Sequence, residues 1–199
     1  MPHPGKCRQT VNYLLGKTAP FLIKLGIPQP VRAILLATLK DPFGTAAFGG
    51  TMIDALLLSM KTAADALDRW PSKQAHIFHH NDADGLSSAA ILSKALSRKG
   101  YGIQRCALEK PYPEVLQRIF RTDGQLVVFA DFAGRIAGLI DDLNRGRNLV
   151  LILDHHPARP VETRRLYHLN PELFGLKGDR DISASTNCFL FAKTLDPDN

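Results

Sequence analysis

Ionisable side chains are concentrated in one short segment, FHHNDADGLSSAAIL, at residues 78–92. His80, Asp82 and Asp84 occupy alternate positions in it, and Gly85 and an apolar helical pattern follow directly. Carboxylates and imidazoles bind divalent cations and also transfer protons in catalysis. Taken alone, the segment is explained equally well as an acidic turn, so its chemistry depends on what the fold brings beside it.

Two further acidic positions come directly after strongly apolar runs. Asp131 follows LVVFA, and Asp154, His155 and His156 follow LVLIL. Uninterrupted apolar runs of this kind are typical of strands that are buried on both faces of a parallel sheet. Because ligands bind outside the carboxyl ends of such strands, we expect these residues to converge with those of the first segment.

Convergence of these aspartates would require compensating cations, because close carboxylates force one another towards protonation. Two divalent ions would balance four carboxylates. A donor set of carboxylates and imidazoles without thiolates favours Mn²⁺, with Mg²⁺ as the alternative ion. A pair of such ions can acidify water and clamp a phosphoryl group, so the pattern indicates hydrolysis of phosphate esters.

The elements that position these residues alternate between strand and helix patterns from about residue 75. Strands are predicted at AHIFH, GIQRCAL, QLVVFAD and NLVLILD, and helices over 86–99, 113–121 and 135–145. This alternation predicts an α/β domain at 73–199 with a doubly wound parallel sheet. Before it, residues 1–72 are predicted to form a helical N-terminal region, with the clearest helix at 52–69 and a linker at 69–74.

Charge and cysteine usage suggest where the chain works. Residues 1–40 contain six Lys or Arg and no Asp or Glu, while the remaining charges cancel. A basic segment of this kind suits a phosphate-rich partner or an anionic surface, and a solvated face explains it equally well. The three cysteines are widely separated, which argues against a disulfide framework. With no run of about 20 apolar residues, we expect a cytoplasmic protein without a membrane partner.

Taken together, the motifs HNDADGLSSAAI, VVFAD and DHHP resemble those of the DHH phosphoesterase superfamily, which includes RecJ-type exonucleases. The combination of HNDADG with LNPELFGLKGDRDISAST is most similar to the RecJ-like proteins. The resemblance covers roughly residues 75–195. It implies a manganese-dependent phosphoesterase that cleaves single-stranded DNA, RNA or short oligonucleotides by a two-metal mechanism.

The resemblance also implies roles for individual residues. Asp131 would bridge two ions, Asp82 and Asp84 would each hold one, His156 would touch the substrate or support the ligands, and Asp154 would orient a histidine. His79 is left out because it points to the other face of the strand. The implied metal ligands are His80, Asp82, Asp84, Asp131 and His155. The implied catalytic residues are Asp82, Asp84, Asp131, His155 and His156.

The chain departs from the family pattern at its end. It stops at LDPDN, before the fourth aspartate motif and the second, DHH-associated domain that family members carry. We therefore expect a fragment, or a half that needs a protein partner or the missing domain. Two alternatives to the exonuclease follow: a catalytically inactive module for binding or scaffolding, and a phosphodiesterase for cyclic dinucleotides or other small nucleotides.

Several polar residues near the motifs have a plain explanation and a functional one. Ser87 and Ser88 lie in the first turn of the predicted helix 86–99, where capping and phosphate binding are equal alternatives. Ser183 or Ser185 is expected to cap the last helix. A loop-rich stretch after DHHP carries residues that either contact a nucleic-acid backbone or are simply solvated: Arg164, Arg165, Asn170, Lys177 and Arg180.

Overall fold

The computed structural model describes residues 52–161, 163 and 165–199. The basic segment at 1–40 and Arg164 lie outside the described residues, so the predictions made for them are not addressed by the fold. None of the described helices combines the length and the hydropathy that a bilayer crossing requires.

Five parallel strands form one sheet in the order β2-β1-β3-β4-β5. The predicted α/β class with a parallel sheet is confirmed. Four strands were predicted close to their observed bounds, whereas β5 was not predicted, because it lies in the stretch interpreted as a loop. The strands are β1 (Gln74–His80), β2 (Gly102–Leu108), β3 (Leu126–Ala130), β4 (Leu149–Leu153) and β5 (Leu166–Leu169).

Helices flank this sheet and connect its strands. The helix predicted at 52–69 is observed as α1, and the predicted helix 135–145 begins with a short 3₁₀ turn at Gly134–Ile136. A second 3₁₀ turn, Pro171–Phe174, follows β5. The α-helices are α1 (Met52–Asp68), α2 (Ala83–Arg98), α3 (Pro113–Ile119), α4 (Ala137–Asn144) and α5 (Ala184–Leu195).

Strands β3 and β4 are buried along their whole length and divide the interior into two cores. Successive side chains of a strand point to opposite faces of the sheet. Val128 and Leu151 therefore face the core made with α1, α2 and α5, whereas Phe129 and Ile152 face the core made with α3 and α4. Burial on both faces explains why these strands have no polar residue at any position.

The strand order changes direction beside β1. From β1 the chain passes to β2 on one side, and it then returns to β3 on the other side of β1. At such a switch point the two crossovers leave a crevice outside the carboxyl ends of the strands. The segment after His80 and the residue after Ala130 border this crevice, so the fold brings the first two motifs together there.

Helix α1 belongs to the same core as the sheet. Leu56, Met60 and Leu67 are fully buried in the cluster that also contains Leu126 and Leu149. The domain boundary between residues 72 and 73 stays a prediction. The apolar face of α1 is nevertheless a structural part of the α/β unit.

Candidate metal and catalytic site

The carboxyl ends of β1 and β3 bring the first two motifs into contact. His80 Nδ1 lies 2.9 Å from Asp82 Oδ2 and 3.8 Å from Asp131 Oδ2. These three side chains can present one ligand atom each within a 4.8 Å group. Asp82 is half-exposed, whereas Asp131 forms the floor of the group with only 1% of its surface exposed.

The end of β4 adds the third motif to the same carboxylate. His155 Nε2 lies 3.3 Å from Asp131 Oδ1 and 3.8 Å from Asp84 Oδ2. Asp131, His155 and His156 form a second group whose ligand atoms lie within 4.8 Å of one another. Asp131 is the member that both groups share.

Asp131 has a rare backbone conformation and a buried side chain, both of which are unfavourable for an ionised aspartate. Its φ of 66° lies in the left-handed region, which non-glycine residues rarely occupy except at special sites. Both carboxylate oxygens are buried, and neither accepts a hydrogen bond from the described residues. The contact with His155 is therefore an ion pair without hydrogen-bond alignment. Burial raises the pKa of Asp131 above its usual range, and the nearby carboxylates of Asp82 and Asp84 add to the rise.

His155 is fixed by one carbonyl and one carboxylate. The contact with Asp131 raises the pKa of His155 to about 9, although burial opposes the rise. The Nδ1 of His155 lies 2.7 Å from the carbonyl oxygen of Gly178. That bond directs Nε2 towards Asp131, which is the usual way in which a protein orients a metal-binding imidazole. A Cβ on Gly178 would collide with the carbonyl of His155.

Asp154 organises the loop that carries both histidines. Its Oδ1 accepts hydrogen bonds from the His155 N–H at 2.8 Å and from His156 Nδ1 at 2.7 Å, and its Oδ2 accepts one from the Gly134 N–H at 2.7 Å. Burial acts to raise the pKa of Asp154, but His156 and the backbone donors outweigh it and lower this pKa. The same hydrogen bond raises the pKa of His156. Asp154 thus orients a histidine.

Buried amides support this loop from behind. Asn187 donates to the backbone oxygens of Asp154 and Leu169, and Asn170 donates to that of His156 at 3.0 Å. Neither asparagine was assigned a role at the site from the sequence. No local pattern in the sequence signals this support, because the partners of the two asparagines lie 14 to 33 positions away in the chain.

Asp84 and Asp82 each bind a helix amino terminus. The two oxygens of Asp84 accept hydrogen bonds from the Ala184 and Ser185 N–H groups, both at 2.9 Å. Asp82 caps α2 through the Gly85 N–H, and this bond lowers the pKa of Asp82. Asp84 therefore borders the site while it secures α5, a task that the sequence did not reveal.

Replacement of Asp84 by alanine is expected to destabilise the metal-free protein by about 1–2 kcal/mol, because the first amides of α5 lose both acceptors. Asp84→Asn, which keeps one acceptor oxygen, should lose about half as much. Ser183→Ala removes the cap that Ser183 Oγ provides to the Thr186 N–H and is the matched comparison. Urea unfolding with a chelator measures all three. Equal stability of Asp84→Ala and the parent protein would contradict this role for Asp84.

Behind the site, His168 is buried and both of its ring nitrogens lack a partner among the described residues. Burial lowers the pKa of His168 to about 4. Because the folded-state pKa lies below the unfolded value of 6.5, the unfolded chain binds the proton more readily. The stability that this histidine contributes is therefore present above pH 6.5 and is lost as the pH falls towards 4.

His168→Phe is expected to reduce the acid sensitivity of folding. Between pH 6.5 and 4 the parent protein should lose roughly 3 kcal/mol more than the variant, since one pKa unit corresponds to about 1.4 kcal/mol. Urea unfolding of both proteins across this pH range, in chelator, gives the difference directly. Parallel pH profiles for the two proteins would show that His168 does not titrate in this way.

Most of the polar residues suggested as nucleic-acid contacts have partners in the structure. Asn170 is fully buried, so its suggested contact with nucleic acid is wrong. Arg165 donates to the Gly146 carbonyl, Lys177 pairs with Glu172, and Arg180 pairs with Asp181.

The serines at the starts of α2 and α5 have different roles. Ser183 caps α5, as predicted for one of the two candidates. In α2, Ser87 binds the Ala83 carbonyl and Ser88 is buried, while Asp82 provides the cap. The structure therefore gives Ser87 a local role within the helix, whereas the buried hydroxyl of Ser88 has no hydrogen-bond partner among the described residues.

The donor set fits divalent metal ions. The test is Asp131, whose buried oxygens have no hydrogen-bond partner among the described residues, although two imidazoles and two further carboxylates surround it. Buried polar atoms in native proteins are nearly always paired, so a carboxylate without partners calls for a cation. Carboxylate and imidazole donors without cysteine are those that Mn²⁺ and similar ions accept.

The fold and this site define a parallel α/β domain with a carboxylate–histidine centre at its topological switch point. The chain belongs to the DHH family: residues 74–194 match the model of the DHH family, N-terminal domain. This match contains all three motifs. The family prediction is thereby confirmed.

Individual relatives agree with this assignment. The chain is 32% identical over 123 residues to an uncharacterized protein of Methanocaldococcus jannaschii, a match that covers 59% of this chain and 28% of the relative. The fold of this chain is similar to that of exonuclease RecJ bound to manganese, with a TM-score of 0.56 and 20% identity, and the match covers 70% of this chain and 38% of that one. It is also similar to RecJ in complex with Mn²⁺ from Thermus thermophilus (TM-score 0.52, 21% identity, 70% and 21%). The chain thus spans well under half the length of each of these proteins.

Proposed function

We propose that this domain hydrolyses phosphodiester bonds in single-stranded DNA, RNA or short oligonucleotides with the help of two Mn²⁺ ions. The observation that carries the proposal is the buried carboxylate of Asp131, which lacks hydrogen-bond partners among the described residues and is shared by two groups of candidate ligands. The two similar structures, exonuclease RecJ bound to manganese and RecJ in complex with Mn²⁺ from Thermus thermophilus, support the choice of ion and of reaction. The cytoplasmic location stays a prediction.

Each candidate ligand would have a defined place. His80 and Asp82 would hold one ion with Asp131, and His155 and Asp84 would hold the other with Asp131. Ions bound there would supply Lewis-acid chemistry, because they acidify water and stabilise negative charge on phosphoryl oxygens. His155 must be deprotonated to act as a ligand, so metal binding releases a proton from it.

His156 would act on the substrate itself. Its Nδ1 is engaged by Asp154, so Nε2 is the nitrogen that a substrate can reach, and 48% of its side chain is exposed. Asp154 raises the pKa of His156, which keeps the imidazole protonated nearer to neutral pH. Nε2–H would then donate a hydrogen bond to the phosphate and a proton to the leaving oxygen. This is general acid catalysis by a histidine whose orientation is fixed.

The test is hydrolysis by the purified 199-residue chain. Single-stranded DNA, RNA, a dinucleotide and a cyclic dinucleotide are incubated with Mn²⁺ or Mg²⁺, and the products are identified by mass spectrometry. We expect nucleotide release with Mn²⁺ and none from Asp131→Asn. Cleavage confined to the cyclic dinucleotide would replace the proposed substrate. No cleavage by a chain that also fails to bind Mn²⁺ in calorimetry would support the inactive scaffold.

A further inference from the structure

An open pocket of about 320 Å³ lies beside the loop that carries Asp154, His155 and His156. It is lined by Arg135, Pro157, Ala158 and Arg159. Pro157 follows His156 directly in the chain, and Arg135 belongs to the 3₁₀ turn whose Gly134 N–H binds Asp154. The pocket therefore adjoins the histidine that is proposed to act on the substrate. None of its lining residues is among the candidate metal ligands.

Both arginines of the pocket are exposed, and neither forms an ion pair or a hydrogen bond with any residue that the structure describes. Other arginines of the chain contrast with them. Arg147 pairs with Asp123 and donates to the Phe120 and Leu143 carbonyls, and Arg165 is fixed by the Gly146 carbonyl and lies over the ring of Trp70. The donors of Arg135 and Arg159 are thus available to a ligand.

Two guanidinium groups that face one pocket favour an oxyanion, because each can donate two parallel hydrogen bonds to phosphate oxygens. The acidic centre next to the pocket would repel an anion that came alone. A phosphate that belongs to the same molecule as the reacting phosphate is nevertheless brought to the pocket, because the rest of that molecule binds at the acidic centre. The pocket therefore suits a flanking phosphate of the same molecule.

We propose that Arg135 and Arg159 bind an internal phosphodiester of a single strand, adjacent to the phosphodiester that reacts. The inference rests on the proposed function, because it names the substrate path of that same site. An internal phosphate is favoured over a terminal one because the pocket is open and its arginines are exposed, so a strand can continue past it. The two arginines would set the path of the strand as it leaves His156.

The experiment measures binding rather than turnover. A fluorescent DNA of about 12 nucleotides with hydroxyl ends is titrated with the full chain in Ca²⁺, which compensates the charge of the acidic centre, and gel electrophoresis checks that the DNA stays intact. Fluorescence anisotropy reports the affinity at several salt concentrations. We expect Arg135→Ala and Arg159→Ala each to weaken binding about tenfold. The double variant should also reduce the slope of log affinity against log salt by about 1.4, which corresponds to two lost phosphate contacts.

Arg121→Ala is the matched control. Arg121 is exposed and lies between α3 and β3, at the opposite edge of the sheet, so the same charge is removed far from the pocket. We expect it to change the affinity less than twofold. If Arg121→Ala weakened DNA binding as much as the pocket variants do, the loss of affinity would be explained by overall charge, and the proposal would be overturned.

Probes with a 5′-phosphate or a 3′-phosphate separate the two sources of the phosphate. If the arginine variants weaken only an end-phosphorylated probe, the pocket takes a terminal phosphate and the internal assignment is overturned. Equal weakening of all probes supports it. This outcome is independent of catalysis. If the chain hydrolyses nothing but the arginine variants bind DNA more weakly as expected, the subsite is supported and the proposed function is not. If the chain is active but the arginine variants bind DNA normally, the subsite is wrong.

Discussion

Asp131→Asn is expected to abolish hydrolysis and at the same time to stabilise the metal-free protein. In the parent chain the carboxylate of Asp131 is buried among other acidic groups and accepts no hydrogen bond from the described residues. Its pKa is raised because burial and the nearby carboxylates disfavour the ionised form. At a pH above about 9, where His155 is neutral and no ion pair is lost, neutralising Asp131 should raise the free energy of unfolding by about 1 kcal/mol in chelator. Removing a shared ligand should weaken Mn²⁺ binding more than about a hundredfold and hydrolysis roughly a thousandfold.

Calorimetric titration, urea unfolding in chelator and the hydrolysis assay measure the three effects separately. Asp142→Asn is the control, because it removes one negative charge from an exposed position on α4. It should leave metal binding and hydrolysis within twofold of the parent protein. If Asp131→Asn lowered the stability of the metal-free protein and left Mn²⁺ binding intact, Asp131 would be a structural residue and the proposed centre would be wrong.

Asp154→Asn should be the most destabilising of the conservative changes at this site. The amide nitrogen would face either the Gly134 N–H or the histidine donors, so a buried donor loses its acceptor. Removing the charge of one partner in a buried charged pair lowers the free energy of unfolding by about 3 kcal/mol or more. The pKa of His156 should fall back towards its ordinary value, because its main cause of elevation is removed.

Urea unfolding gives the stability, and the titration of the histidine ring protons by NMR gives the pKa of His156. Asp123→Asn is the comparison, since Asp123 pairs with Arg147 at an exposed position and its loss should cost less than about 1 kcal/mol. A His156 pKa that is unchanged in Asp154→Asn would show that Asp154 does not set the charge of this imidazole, and the assignment of His156 as an acid would lose its support.

The sequence was most informative where local pattern and global fold agree. The apolar runs before Asp131 and Asp154 predicted both the buried strands and the edge at which the aspartates meet, because burial on two faces leaves no room for polar residues. The motif spacing then predicted which side chains converge. What each of them contacts was visible only where the partner is a near neighbour, as for Asp82 and Gly85.

Features that depend on distant parts of the chain were not predictable in this way. Strand β5 has four residues, LYHL, and it is a strand because β4 supplies its partners. The dual hydrogen bonding of Asp84 involves amides about a hundred positions later in the sequence. The Gly178 carbonyl that orients His155 belongs to a turn without any distinctive local pattern.

The link from Asp84 to α5 has a consequence for how the site comes into being. The first motif cannot acquire its final geometry until Ala184 and Ser185 have been synthesised and α5 has docked. Contacts between residues this far apart in the chain form late, because the closure of a long loop must precede them. On the ribosome, the nascent domain would therefore carry its ligand residues for most of its synthesis without an assembled metal centre. Capture of the proposed ions would then have to wait for the docking of α5.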